Sequence, residues 1–164
     1  MRQRGFTLVE LVLVIAIMAT LLGLATVQFS QYTTKANIEK QVREMYADLM
    51  NARSEALLQK KNRSVAMTAA QFALYTSING TGTPILKKAL KYPVTHGAEI
   101  PFYFDSRGVT RNKDGIPWQP GTTETVCVTP AGNPAAIDSL LITATGIQMG
   151  KWNGSCDSAH FTAK

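Results

Sequence analysis

The chain is poor in the residues on which catalysis and metal binding depend. Its 164 residues include two histidines, His96 and His160, and two cysteines. No His/Cys/Asp/Glu cluster has the spacing of a metal-ligand set. No G-x-S-x-G, P-loop or G-x-G-x-x-G sequence is present. These absences exclude the common enzyme signatures, and no cofactor is implied. Proline is missing before Pro84, so no covalent break interrupts a helix in the first half. Charge is nearly missing over residues 6–27, FTLVELVLVIAIMATLLGLATV, where Glu10 stands alone. There is no internal repeat and no low-complexity tract.

That uncharged run is itself a signal. About 20 apolar residues suffice to cross a hydrocarbon core as a helix. Arg2 and Arg4 precede the run, which keeps its start cytoplasmic and sends the rest outward. A secretory signal has a shorter apolar core followed by a small-x-small cleavage site. Here the core is too long, and residues 25–33, ATVQFSQYT, offer no such site. The one small-residue boundary is Gly5, ahead of the run. A cut there removes the arginines and leaves the whole apolar segment on the mature chain.

The net charge of +6 thins out along the sequence. Residues 28–63 hold seven Lys/Arg against four Asp/Glu, and residues 64–164 hold eight against six. A segment of about a hundred residues so nearly balanced is no polyanion-binding surface by charge alone. Cys127 and Cys156 both lie beyond the apolar run, in what this topology makes an oxidising compartment, where pairing is expected. The alternative is two unpaired buried thiols.

Gly5-Phe6-Thr7-Leu8-Val9-Glu10, followed by LVLVIAIMATLLGLA, resembles the class III signal of type IV pilins and type II secretion pseudopilins. The resemblance covers about the first 30 residues. It implies cleavage after Gly5 by a membrane-embedded prepilin peptidase and methylation of the new amine on Phe6. It also implies that Glu10 attracts the N-terminal amine of an adjacent subunit and sets the axial register of a helical fibre. The physics fits that role. A carboxylate at membrane depth costs about 2.5–3.5 kcal/mol on insertion scales, so it needs a partner or a function. A paired buried charge roughly breaks even, whereas a mismatched one is heavily penalised, and that asymmetry specifies register.

Beyond the run, Ile38, Val42, Met45, Leu49, Ala52 and Ala56 recur at intervals of three and four, one apolar helical stripe. Opposite charges four apart, such as Lys40/Glu44, support the same helix. The pattern predicts one helix from about Phe6 to about Lys61, with Gly23 its weak point. After Asn62 the texture turns to short β-branched and aromatic runs between turn signals such as Asn79-Gly80 and Asp114-Gly115. Strands are expected at 64–68, 72–78, 99–104, 122–129 and 139–145, with 84–93 either strand or short helix. The fold class expected is α+β: a long N-terminal helix, transmembrane half plus amphipathic half, packed on a small β-rich head. The divisions are a leader (1–5), the apolar half (6–27), the amphipathic half (28–61) and the head (62–164).

This order, with Phe104-Asp105-Ser106-Arg107-Gly108 midway, resembles the GspH/FimT group of minor pseudopilins and minor pilins. The resemblance implies a structural subunit of a type II secretion pseudopilus, in the inner membrane with a periplasmic head. Its partners would be prepilin peptidase, related subunits and an inner-membrane assembly platform. The alternative is a FimT-like minor pilin acting in pilus biogenesis or DNA uptake. DNA-binding relatives have a Gly-Arg-x-Arg stretch, which Gly146-Ile147-Gln148-Met149 lacks, although Lys151 and Trp152 leave one phosphate contact and one stacking face. Nucleic acid is therefore the poorer reading. Asp105, Arg107 and Arg111 read as a solvated turn rather than a polar site, and Lys87, Lys88 and Lys91 beside Tyr92 as a solvated face. An enzyme or receptor merely anchored by its N-terminus is the third reading, one that processing at Gly5 would contradict.

Overall fold

A computed structural model describes residues 7–164, the side chains of residues 24–28 excepted. Helix α1 runs unbroken over Leu8–Gln59, about 78 Å at ~1.5 Å per residue. Thr7 caps its start: the backbone there is extended, and the side-chain oxygen accepts the Glu10 N–H at 3.3 Å. Lys60 ends it in the left-handed conformation, φ 54°. Gly23 does not interrupt the helix.

The two halves of α1 live in different surroundings. All described side chains from Thr7 to Gly23 are exposed, including Leu8 at 78% and Leu22 at 67%. From Ile38 onward the expected stripe is buried to the last member, with Val42, Leu49 and Ala56 fully covered. Among the described residues no helix is long and apolar enough to cross a membrane. The span expected at 6–27 takes in Phe6 and the side chains of residues 24–27, which lie outside the described residues.

The head is two antiparallel five-stranded sheets. The first contains β1 (Arg63–Thr68), β2 (Gln71–Tyr75), β3 (Leu86–Ala89), β5 (Phe102–Phe104) and β6 (Thr110–Asn112), in the order β3-β2-β1-β5-β6. The second contains β4 (Val94–His96), β7 (Thr123–Val128), β8 (Ser139–Thr143), β9 (Ile147–Trp152) and β10 (Phe161–Ala163), in the order β10-β9-β8-β7-β4. The α1 stripe, Val65, Phe72, Phe102, Phe104, Val126, Leu140 and Ile142 form one core. Phe102 meets Phe104 edge-on at 5.6 Å and Trp118 at 5.4 Å. Thr110 links the sheets, its N–H donating to Ala144 and its hydroxyl to Thr143.

The expected strands fall within a few residues of the observed ones, and the 84–93 segment supplies a strand, β3. Strand 99–104 is shortened to β5 because Pro101 offers no N–H to a ladder. Strand 72–78 ends at Tyr75, after which the Ser77 hydroxyl and the Thr81 backbone close a turn. Strands β4, β6, β9 and β10 were not among the expected ones.

Candidate functional site: the exposed helix and its clasp on the head

The features that set this molecule apart lie along α1. At its start, Thr7-Leu8-Val9-Glu10 has the T-x-x-E spacing of a helix N-terminus. A carboxylate in the first turn also lies where the helix dipole favours negative charge. Gly5 and Phe6, where cleavage and methylation are expected, lie outside the described residues. The apolar surface that follows covers every side of the helix, and its one described hydroxyl is hidden: Thr20 donates to the Ile17 carbonyl at 2.8 Å.

The second half of α1 is fastened to the head at intervals. The Glu39 carboxylate accepts the Ala136 N–H at 2.9 Å. Gln41 makes a two-way bond with Tyr92, accepting its N–H at 2.9 Å and donating to its carbonyl at 2.8 Å. Asp48 pairs with Lys88 at 2.6 Å, and the Arg53 guanidinium donates to the Gly108 carbonyl at 2.9 Å. Lys60 reaches the Ser106 carbonyl at 3.4 Å. Buried Arg63, at the start of β1, pairs back with Glu55 at 2.9 Å.

The Phe104–Gly108 turn thus has a mechanical meaning. Asp105 is buried and accepts the N–H groups of Arg107 and Val109 at 2.8 and 3.0 Å and the Arg111 guanidinium at 2.8 Å. Burial disfavours ionisation of Asp105, but Arg111 and the two N–H groups outweigh it and hold its carboxyl below the ordinary value. So braced, the turn presents Gly108 (φ +72°) to α1, where a Cβ would lie 3.0 Å from Leu57. A side chain there would have to displace Leu57, and the positive φ already favours glycine.

The cysteines pair: Cys127 on β7 is disulfide-bonded to Cys156. Beside them lies Glu124, 1% exposed, whose Oε2 accepts the Glu99 N–H at 2.9 Å and whose Oε1 is 3.9 Å from the His96 Nδ1. Burial pushes the Glu124 carboxyl up, against the opposing pull of the Glu99 and Gly97 N–H groups and of His96. Sequence reasoning passed over this residue, although Glu124 keeps the alternation of buried Val126 and Val128 along β7.

The two residues at which the sequence makes a DNA contact the poorer reading are both engaged within the head. The Lys151 ammonium pairs with fully buried Asp138 at 2.6 Å and donates to the Asn133 carbonyl at 2.9 Å. Trp152 is 5% exposed, and its indole N–H donates to the Val128 carbonyl. Neither a free cation nor an open stacking face is left. Lys88, in the basic-aromatic patch, is likewise tied to Asp48. His160 pairs with Asp157 at 2.7 Å, and among the described residues no group of three or more His, Cys, Asp or Glu could hold a metal ion.

Residues 1–26 match the family profile described as the prokaryotic N-terminal methylation motif. Two fimbrial proteins of Pseudomonas aeruginosa are 29% and 28% identical to the chain over 151 residues, 92% of this chain and 84% of theirs. The type IV minor pilin FimU of Pseudomonas aeruginosa strain PAO1 shares the fold, with a TM-score of 0.52 and 20% identity over 72% of this chain and 91% of FimU. The minor pseudopilin EpsH of the Vibrio cholerae type 2 secretion system gives 0.48 and 13% identity over 69% of this chain and 95% of EpsH.

Proposed function

We propose that this chain, whose N-terminal motif and fold resemble those of type IV pilins and pseudopilins, is a minor structural subunit of a fibre of that class. It is cleaved after Gly5, methylated on Phe6 and held in the inner membrane by the apolar start of α1, with its head outside. Assembly packs that start against the same region of sister subunits, with Glu10 meeting a neighbour's terminal amine. The observation carrying this reading is the contrast along one helix: an apolar first half left bare, a second half clasped to a head. A soluble domain does not leave so long an apolar surface uncovered. Such a subunit works by geometry rather than by catalysis.

Two machines use such subunits. A type II secretion pseudopilus is the first reading; the N-terminal signal is common to both machines, and the Phe104–Gly108 turn marks the group that holds minor pseudopilins and minor pilins alike. The similarity to fimbrial proteins over 92% of the chain supports a type IV pilus as the second reading. Deletion in the native cell separates them: lost export of folded enzymes marks a secretion fibre, lost surface fibres or twitching a pilus.

The register claim has its own test. Glu10→Ala should be cleaved normally, giving a mature chain that begins with methylated Phe6 by mass spectrometry, yet fail to enter fibres. Normal incorporation would refute the pairing, and a mature chain still starting at Met1 would refute the whole reading.

A further inference from the structure

Between the bare apolar run and the first residue gripped by the head, α1 carries two aromatic rings with no protein around them. Phe29 is 72% exposed and Tyr32 is 71% exposed. Three residues apart, they share one face of the helix. The head's grip begins beyond them, at Ile38 and Glu39. Core packing therefore does not account for them.

Their height along the helix does. Phe29 lies 22 residues past the Thr7 cap, about 33 Å along an unbroken α-helix, and Tyr32 about 38 Å. A hydrocarbon core is about 30 Å thick and a bilayer with its headgroups about 40–45 Å. Counting from the capped end, Phe29 arrives where the hydrocarbon ends and Tyr32 where headgroups and water begin. The hydroxyls nearby follow the same logic. Thr20, deep in the run, and Thr33, beside Phe29, both donate to carbonyls of their own helix at 2.8 Å. After Glu10, the next charged residue is Lys35.

We propose that Phe29 and Tyr32 form an aromatic collar that seats in the outer lipid headgroup layer and fixes how deep α1 sits while the subunit waits in the membrane. The inference rests on the membrane-anchor reading above. Tyrosine favours this layer because its ring is apolar while its hydroxyl tolerates water, and a phenyl ring one helical turn inward favours the adjoining hydrocarbon. Tyr32 supplies a hydroxyl for the wet side, and Phe29 fills the dry side. The collar holds the depth of Glu10, and with it the height at which a neighbour's amine must arrive.

The experiment uses the full-length chain in vesicles of phosphatidylethanolamine and phosphatidylglycerol, brominated either near the ester end or at mid-chain. The reporter is Met18→Trp, about 16 Å from the cap and so near the bilayer centre; Trp118 and Trp152, buried in the head, give a constant background. With the collar intact, mid-chain bromines should quench the reporter more than ester-end bromines. Adding Phe29→Ala and Tyr32→Ala should reduce that advantage about twofold as the helix loses its stop. An unchanged advantage would overturn the collar while leaving the anchor standing. An unchanged advantage with impaired fibre incorporation would assign the rings to a sister helix, and so would also overturn it. A reporter quenched by neither lipid would bring down the anchor reading and the collar together.

Discussion

Single residues decide how the head meets the helix. Gly108 is the sharpest case, because it combines a left-handed backbone with a 3.0 Å approach to Leu57. Gly108→Ala should lower the unfolding free energy by about 1–3 kcal/mol, measured by urea titration. Gly82→Ala provides the comparison: φ there is +96°, but a Cβ would meet open space. Equal losses in the two variants would show that the contact with Leu57 contributes nothing. Glu124 makes a different kind of prediction. Its folded-state pKa is raised above the ordinary 4.5, so its contribution to stability is complete below that value and is lost as pH rises through the folded one. Glu124→Gln should remove that decline, giving a stability difference from the parent that grows with pH above about 4.5. Parallel stability curves for parent and variant would contradict it. Asp105 acts in the opposite sense: its depressed pKa stabilises the fold above the ordinary 3.8 and is lost as pH falls below it.

At the scale of elements, the clasp between α1 and the sheets rests on side chains that replace strand pairing with helix-to-loop bonds. Gln41 does so twice at Tyr92. Gln41→Ala would strip an acceptor and a donor from partly buried backbone groups and should cost about 2–3 kcal/mol; a loss below about 0.5 kcal/mol in urea unfolding would deny the bond its role. Much of this layer was legible beforehand. The stripe from Ile38 to Ala56 keeps helical spacing over 19 residues, long enough for periodicity to be decisive, and all six members are buried. β4, β6 and β10 have three residues each, too few for any alternation to register. β9 was obscured by Gly150, which reads as a breaker but is needed where it stands: a Cβ there would lie 2.5 Å from the Phe161 ring and 2.3 Å from the Thr162 carbonyl. Lys151 looked like a free cation because its partner, Asp138, lies 13 residues away across a strand pair that no local pattern announces. The Asp105 turn was read as solvated for the same reason, since the helix it braces against is some fifty residues upstream.

For the molecule as a whole, the disulfide ties β7 to the segment leading into the last strand, across a separation of 29 residues. Cys156→Ser should cost about 3–4 kcal/mol on the chain-entropy view, read as a fall in the urea midpoint of the oxidised protein. A midpoint equal to that of the parent would show the last strand held by its ladder alone. The clasp also has a consequence for how load applied along α1 reaches the head. Its bonds, at Glu39, Gln41, Asp48, Arg53 and Lys60, are strung along about 32 Å of a single rod. Axial tension on the apolar end therefore loads them together, in shear, instead of peeling them away one at a time. A piston drives its crown this way, and the head should travel with the helix as one rigid piece.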